Sequence, residues 1–208
     1  MTSPGAPVEN GGMRRLTYFI GVSIDGRIAG PHDETDFFPL SDAYGAWLGE
    51  EFPETLPTHV RTHLGIDDAP HRHFDTVVMG RRTYEPALAI GVVNPYAHLR
   101  QYVVSTTQQE LTPEVTIVRE DPVGLVRRLK AEDSPFDVCL VGGASLAAAV
   151  LPEIDQVVVK LYPVLAGAGR PAFDAGEFSP ARFDLTDVST FEGGHVVLTW
   201  DRRPVPSS

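Results

Sequence analysis

Apolar, β-branched stretches punctuate this chain at short intervals: LTYFIGV from Leu16, TVVMG from Thr76, QYVVST from Gln101, VTIV from Val115, DVCLVGG from Asp137, QVVVKLYPVL from Gln156 and HVVLTW from His195. Most are bounded by Gly, Pro, Asp or Asn, which stop strands and make turns, so each predicts a β-strand. Five intervening stretches carry helical spacing of apolar positions: SDAYGAWLGEEF, ETLPTHVRTHLGI, RRTYEPALAI, PVGLVRRLKAE and ASLAAAVLPEI, starting at Ser41, Glu54, Arg81, Pro122 and Ala144. Strands alternating with helices predict an α/β fold with a mostly parallel central sheet and helices on both faces. The last two strands, RFDLTDVSTF from Arg182 and HVVLTW, are joined by EGG, a hairpin signal, so an antiparallel C-terminal hairpin is expected at the sheet edge.

Length and composition narrow the picture. A chain of 208 residues has room for one domain with a proper core and falls short of two ordinary ones. The domain is expected over residues 13–203, with a disordered tail at 1–12, which is rich in Gly and Pro, and a tail at 204–208. The 42% hydrophobic and 22% charged fractions fit a globular protein. One cysteine, Cys139, excludes an internal disulfide framework and fits a cytoplasmic location. No run is long and apolar enough to cross a membrane, and the first residues lack the order of a signal peptide, so no membrane partner is expected. A net charge of −11 argues against nonspecific binding to nucleic acid. An anionic ligand must therefore be met by local positive charge.

Four joints between elements have the character of a ligand site. In VVMGRRTYE, Gly80 permits a tight turn, and Arg81, Arg82 and Thr83 then fill the first turn of a helix. Cations are mildly unfavourable there unless an anion joins them, and the guanidinium fork suits phosphate. In VGGASLAAAV, Gly142 and Gly143 end a strand and Ala144, Ser145 and Leu146 begin a helix. Paired glycines let a diphosphate approach the backbone N–H groups, although the stretch lacks a full G-x-G-x-x-G and, alone, is equally a plain turn. VVSTT offers the hydroxyls of Ser105 and Thr106, suited to a ribose or its phosphate or else to a simple turn. The long polar loop GVSIDGRIAGPHDETDFFP after the first strand is either a lid or a connector.

Together these segments resemble the dihydrofolate reductase-like superfamily, especially the branch with the reductase domain of riboflavin biosynthesis. MGRRTYE is close to the cofactor-helix motif of those reductases, while SIDGRIA and YPVLAGAGRPAF look like the riboflavin-type branch. The resemblance implies NADPH as cofactor, a small heteroaromatic, pterin-like or pyrimidine-like substrate, and a homodimer. It also implies roles for particular residues. Gly80, Arg81, Arg82 and Thr83 would hold the 2′-phosphate and diphosphate, and Gly142, Gly143, Ala144, Ser145 and Leu146 the diphosphate. Ser105 and Thr106 would lie beside the adenosine, and Val22, Ile28 and Ala29 would contact the nicotinamide.

Hydride transfer to a C=N or C=O bond also needs a proton, for which a carboxyl group is the ordinary source. Two candidates stand in the chain. Asp42 lies in the helical region where the folate enzymes carry their acid, but with different spacing to the tryptophan; Asp25 is the counterpart suggested by the riboflavin-type branch. Each is equally a local structural residue, Asp42 as a helix cap and Asp25 as a turn former. No metal site is expected from HVRTH or HRH, because the Glu of the zinc-protease motif is missing and no carboxylate partner is evident. Two alternatives to a reductase stay open: a serine hydrolase built on Ser145 in GASLA with Asp187 and His195 following in the order of an α/β-hydrolase triad, and a non-catalytic nucleotide-binding module.

Overall fold

The computed structural model describes residues 13–174 and 178–204; of the expected tails, 1–12 and 205–208 lie outside the described residues. In chain order the elements are β1 (Leu16–Val22), β2 (Arg27–Ala29), α1 (Asp42–Glu51), α2 (Thr58–Leu64), β3 (Phe74–Gly80), α3 (Arg81–Ala89), β4 (Arg100–Val104) and β5 (Val115–Val118). Then come α4 (Pro122–Lys130), β6 (Asp137–Leu140), α5 (Ala144–Ala149), β7 (Gln156–Leu161), β8 (Arg170–Pro171), β9 (Phe183–Thr190) and β10 (Val196–Arg202). Eight strands form one sheet in the order β5-β4-β3-β6-β1-β7-β10-β9. The neighbours from β5 to β7 pair in parallel, whereas β10 pairs antiparallel with both β7 and β9. The mostly parallel sheet and the antiparallel C-terminal hairpin are thus as expected.

Helices cover both faces because the central strands bury side chains on both. On one face Leu16, Tyr18, Ile20 and Val22 of β1 pack with Val138 and Leu140 of β6 beneath Leu125, Val126 and Leu129 of α4 and Leu146 and Ala147 of α5. The opposite face carries Phe19 of β1, Cys139 of β6 and Val158 of β7, packed with Tyr44 of α1 and Tyr162. Beside this second cluster, Val77 and Met79 of β3 pack with Tyr84 of α3 and Val103 of β4. Val141, just after β6, packs against both, so it lies on the sheet between α1 and α3.

Prolines account for the main departures from the expected helices. The stretch ETLPTHVRTHLGI divides at Pro57 into a short 3-10 turn, Pro53–Thr55, and α2. ASLAAAVLPEI ends its α-helix at Ala149, and Pro152 sits in a second 3-10 turn, Leu151–Glu153. A two-stranded sheet, β2 with β8, was not foreseen: it ties residues after β1 to residues after β7. Gly169 makes this possible, since a Cβ there would stand 2.1 Å from the Ala29 carbonyl oxygen.

Candidate active site

The β3–α3 and β6–α5 joints meet at the C-terminal ends of neighbouring parallel strands, where open α/β sheets bind ligands. Gly80 N–H donates to the Gly142 carbonyl at 2.8 Å, and a Cβ on Gly80 would lie 3.4 Å from Gly143 N. Gly142 has φ +124°, a region that favours glycine, and the Gly142–Gly143 peptide is cis. Thr83 completes the contact, with its Oγ1 3.2 Å from the position a Gly142 Cβ would take. The structure therefore brings Gly80, Thr83, Gly142 and Gly143 together. Arg81, Arg82, Ala144, Ser145 and Leu146 follow in the first turns of the two helices.

Capping separates these helices from two others. Ser41 Oγ accepts from Tyr44 N–H at the start of α1, and Asp121 accepts from Gly124 N–H at the start of α4. By contrast, α3 starts on Gly80 and α5 on Gly143, and neither has a side-chain cap. The first amides of a helix have no partner within it, so two bare, adjacent helix starts present N–H groups for an acceptor from outside. A Cβ at Gly143 would meet only Thr83 Oγ1, at 3.8 Å, so there is open space above this turn. The residues present thus fit a dinucleotide diphosphate.

Positive charge gathers around the turn. Arg81 forms an i,i+4 ion pair with Glu85, which is partly exposed and so costs only a few tenths of a kcal/mol to break, about 0.3–0.5. Arg82 lies 4.0 Å from Asp33, whose other oxygen accepts from Arg170 Nε at 2.8 Å. Two guanidiniums thus share one carboxylate. Arg170 was not anticipated from the sequence; it reaches the site through the β2–β8 pair. Along α3 a groove of about 270 Å³ is lined by Thr83, Pro86, Ala87 and Ile90, with His59, Pro95 and Tyr96 opposite.

The remaining expected residues divide. Val22 and Ala29 are buried and Ile28 is half-buried at the ends of β1 and β2. Ser105 follows β4, the strand next to β3, and its Oγ accepts from the Thr107 and Gln108 amides at 3.2 and 2.9 Å, so its hydroxyl holds a turn. Thr106 beside it is exposed. Asp25 ties two loops: Oδ1 accepts from Ser23 Oγ at 2.7 Å and Ala166 N–H at 2.9 Å, and Oδ2 from Gly167 N–H at 2.9 Å. The Ser23 hydrogen bond, followed by those amides, holds its carboxyl at about 2, which favours the ionised form. That environment suits a structural acceptor far better than a proton donor. Asp42 is exposed in the first turn of α1, which Ser41 caps.

The hydrolase alternative finds no assembled triad. His195 contacts the Pro39 carbonyl through Nε2 at 2.7 Å and Ser41 Oγ through Nδ1 at 3.5 Å, and its ring stacks on Tyr44. Asp187 accepts from Ser189, so neither approaches Ser145 by hydrogen bond. Cys139 is buried, and burial pushes its thiol well above the usual range, so it packs as a small hydrophobe. Among the other histidines, His71 contacts the His98 carbonyl and His73 contacts Glu51.

One charged side chain on the α1 face escaped the sequence reading. Lys160 of β7 pairs in register with Gly21 and Val197, and its Nζ lies 4.2 Å from the centroid of the Phe19 ring. It has no ion pair or hydrogen bond among the described residues. A lone cation within an apolar strand was the available signal.

A family model described as the RibD C-terminal domain matches residues 14–197. The Bacillus subtilis (strain 168) protein named "Uncharacterized protein YwjB" is 28% identical over 163 residues, covering 77% of this chain and 83% of its own. Among solved structures, a "Putative riboflavin biosynthesis protein" from Shewanella sp. PV-4 is 23% identical with a TM-score of 0.63, covering 91% of this chain and 99% of that one. The Thermotoga maritima diaminohydroxyphosphoribosylaminopyrimidine deaminase/5-amino-6-(5-phosphoribosylamino)uracil reductase is 16% identical with a TM-score of 0.59, covering 92% of this chain. Acinetobacter baumannii RibD is 17% identical with a TM-score of 0.58, covering 93% of this chain. The chain spans 57% and 59% of those last two proteins. These structures share the dihydrofolate reductase-like fold expected from the sequence. With nearly all the described residues inside the matched family model, the chain belongs to the RibD C-terminal domain family.

Proposed function

We propose that this chain is an NADPH-dependent reductase acting on a small heteroaromatic, pterin-like or pyrimidine-like ring. The observation that carries the reading is the pair of uncapped helix starts, α3 and α5, which meet at Gly80 and Gly142–Gly143 with arginines beside them. Backbone amides there would take the diphosphate, and Arg81 and Arg82 the 2′-phosphate. Membership of the RibD C-terminal domain family supports the same assignment, because the Thermotoga relative is a deaminase/reductase. When bound, reduced nicotinamide supplies a hydride, and the protein's part is to hold the acceptor ring in place and exclude water.

Around α1, the buried Tyr44 and Tyr162 support Phe38, 4.6 Å from Tyr162 between centroids, and the half-buried Trp47 and Phe191, whose exposed edges would stack a flat ring. The test is oxidation of NADPH in the presence of 5-amino-6-(5-phosphoribosylamino)uracil, of dihydrofolate and of a pterin without the glutamate tail. The expected result is turnover of a tail-less ring and poor turnover of dihydrofolate, since the acid at position 42 is spaced unlike that of the folate enzymes. NADPH that binds but is oxidised with none of them would favour a nucleotide-binding module. Hydrolysis of an ester blocked by a serine-reactive probe would reinstate Ser145.

A further inference from the structure

The chain has only two lysines against fifteen arginines. Lys130 is accounted for: its Nζ lies 2.6 Å from Asp155 and donates to the Glu153 carbonyl at 3.1 Å. Lys160 is different. It stands on the α1 face of the sheet, beside Phe19, with Gly21 as its register partner on β1 and the Tyr162 ring filling the space over that glycine. On the other side its register partner is Val197, which is 2% exposed. The titratable groups sharing this face are Cys139 of β6, Tyr44 of α1, Tyr162 after β7, His195 before β10 and the buried Glu54, whose carboxylate accepts from the His73 and Phe74 amides and forms no ion pair with Lys160 among the described residues. Lys160 is crowded by neighbours yet keeps a solvent-accessible part. A cation held against an aromatic ring without a counter-ion is poised to meet an acceptor brought by a ligand.

Resting on the reductase reading above, we propose that Lys160 is the substrate-contacting cation of this site and selects rings that present a carbonyl or deprotonated imide oxygen. Phe19 and Gly21 of β1 and Lys160 of β7 form a strip that leads towards Val141, which directly precedes the Gly142–Gly143 turn. The Tyr162 ring, 3.0 Å from the place of a Gly21 Cβ, covers that glycine, so a ligand ring would meet the ammonium from its solvent-accessible side, against the edge of Tyr162. A compact ammonium accepts no hydrogen bonds, so it discriminates against a ring that offers amino groups at the same positions.

The test compares lumazine, a pteridine-2,4-dione, with 2,4-diaminopteridine, which has the same skeleton with donors in place of the oxygens. Binding is followed by ligand fluorescence, with and without NADP⁺, for the unaltered protein and Lys160→Met. We expect lumazine to bind at least about tenfold more tightly, and the preference to vanish in Lys160→Met, consistent with a charge-assisted hydrogen bond. A second readout needs no variant: reductive methylation with ¹³C-formaldehyde labels Lys130, Lys160 and the N-terminal amine. Lumazine should move only the Lys160 resonance. Equal binding of the two rings, failure of lumazine to bind, or an unmoved Lys160 resonance at saturation would overturn the proposal. NADPH affinity is measured separately on both proteins: its absence would remove the reductase reading, whereas normal NADPH binding without ring selectivity would remove only the role of Lys160.

Discussion

Replacing Lys160 by Met should stabilise the protein near neutral pH. Burial is the main cause that lowers the Lys160 ammonium from its ordinary 10.5 to about 8, against an opposing effect of the nearby Cys139. Converted at about 1.4 kcal/mol per pKa unit, the folded state loses up to roughly 3 kcal/mol by holding this charge, and less to the extent that water reaches it. The sign follows from linkage. Because the folded value lies below the unfolded one, the cost is present in full below about pH 8 and fades as pH rises towards 10.5. Met retains the unbranched chain and removes the charge, so Lys160→Met should be more stable than the unaltered protein by about 1–3 kcal/mol at pH 7. Urea unfolding of both proteins measures the difference, and repeating it at pH 9.5 should shrink the gap to about half or less. A variant less stable than its parent at pH 7, or a gap that ignores pH, would refute the reasoning and show that the ammonium is well solvated or paired.

Other expectations are independent of that one. Gly143→Val should unfold at nearly the parent's urea concentration, because a Cβ there meets only Thr83 Oγ1 at 3.8 Å, yet its affinity for NADPH by fluorescence titration should fall at least about tenfold. Arg14, which is 2% exposed, binds Asp75 and donates to Glu132 at 2.9 Å, the Phe136 carbonyl at 2.8 Å and Thr76 Oγ1 at 3.1 Å. Arg14→Ala should therefore cost on the order of 3–5 kcal/mol in urea unfolding, the usual result of stripping one partner from a buried pair. Asp25→Ala should speed hydrogen exchange at the Ala166 and Gly167 amides that its carboxylate accepts. Since that carboxyl is held at about 2, below its ordinary value, its bonds contribute above the unfolded value and are lost as pH falls through about 2, which NMR titration of those amides can follow.

The sequence was most legible where structure depends on neighbours in the chain. The runs at Leu16–Val22 and Val115–Val118 became β1 and β5 with the same bounds, since unbroken apolar, β-branched residues between turn formers have few alternatives in a covered sheet. RRTYEPALAI became α3 although Pro86 stands inside it, where it removes one backbone hydrogen bond of the helix. The turns at Gly80 and Gly142–Gly143 were legible because glycine followed by helix-forming residues is a local signal. Contacts between distant segments were not. The pairing of Arg27–Ala29 with Arg170–Pro171 involves too few residues to leave a periodicity, and it is this pairing that carries Arg170 to Asp33 and Arg82. Asp25 could be read as acid or turn former until its bonds to Ala166 and Gly167, across more than a hundred residues, showed what it holds. In the sequence Lys160 is hidden in an apolar run, because only the register with Gly21 and Val197 reveals which face it shares.

The central claim is that the joined turns at Gly80 and Gly142–Gly143, with Arg81 and Arg82, hold a nicotinamide dinucleotide bearing a 2′-phosphate. Side-by-side fluorescence titration with NADPH and NADH tests it most directly, with Arg82→Ala as the third arm. Loss of one charge-assisted contact to the phosphate costs about 1.5–3 kcal/mol, or roughly ten- to a hundredfold in affinity. The prediction is that NADPH binds at least about tenfold more tightly than NADH, and that Arg82→Ala narrows the difference by weakening NADPH alone. Equal affinity for the two cofactors, or an Arg82→Ala variant that keeps the full preference, would contradict the account.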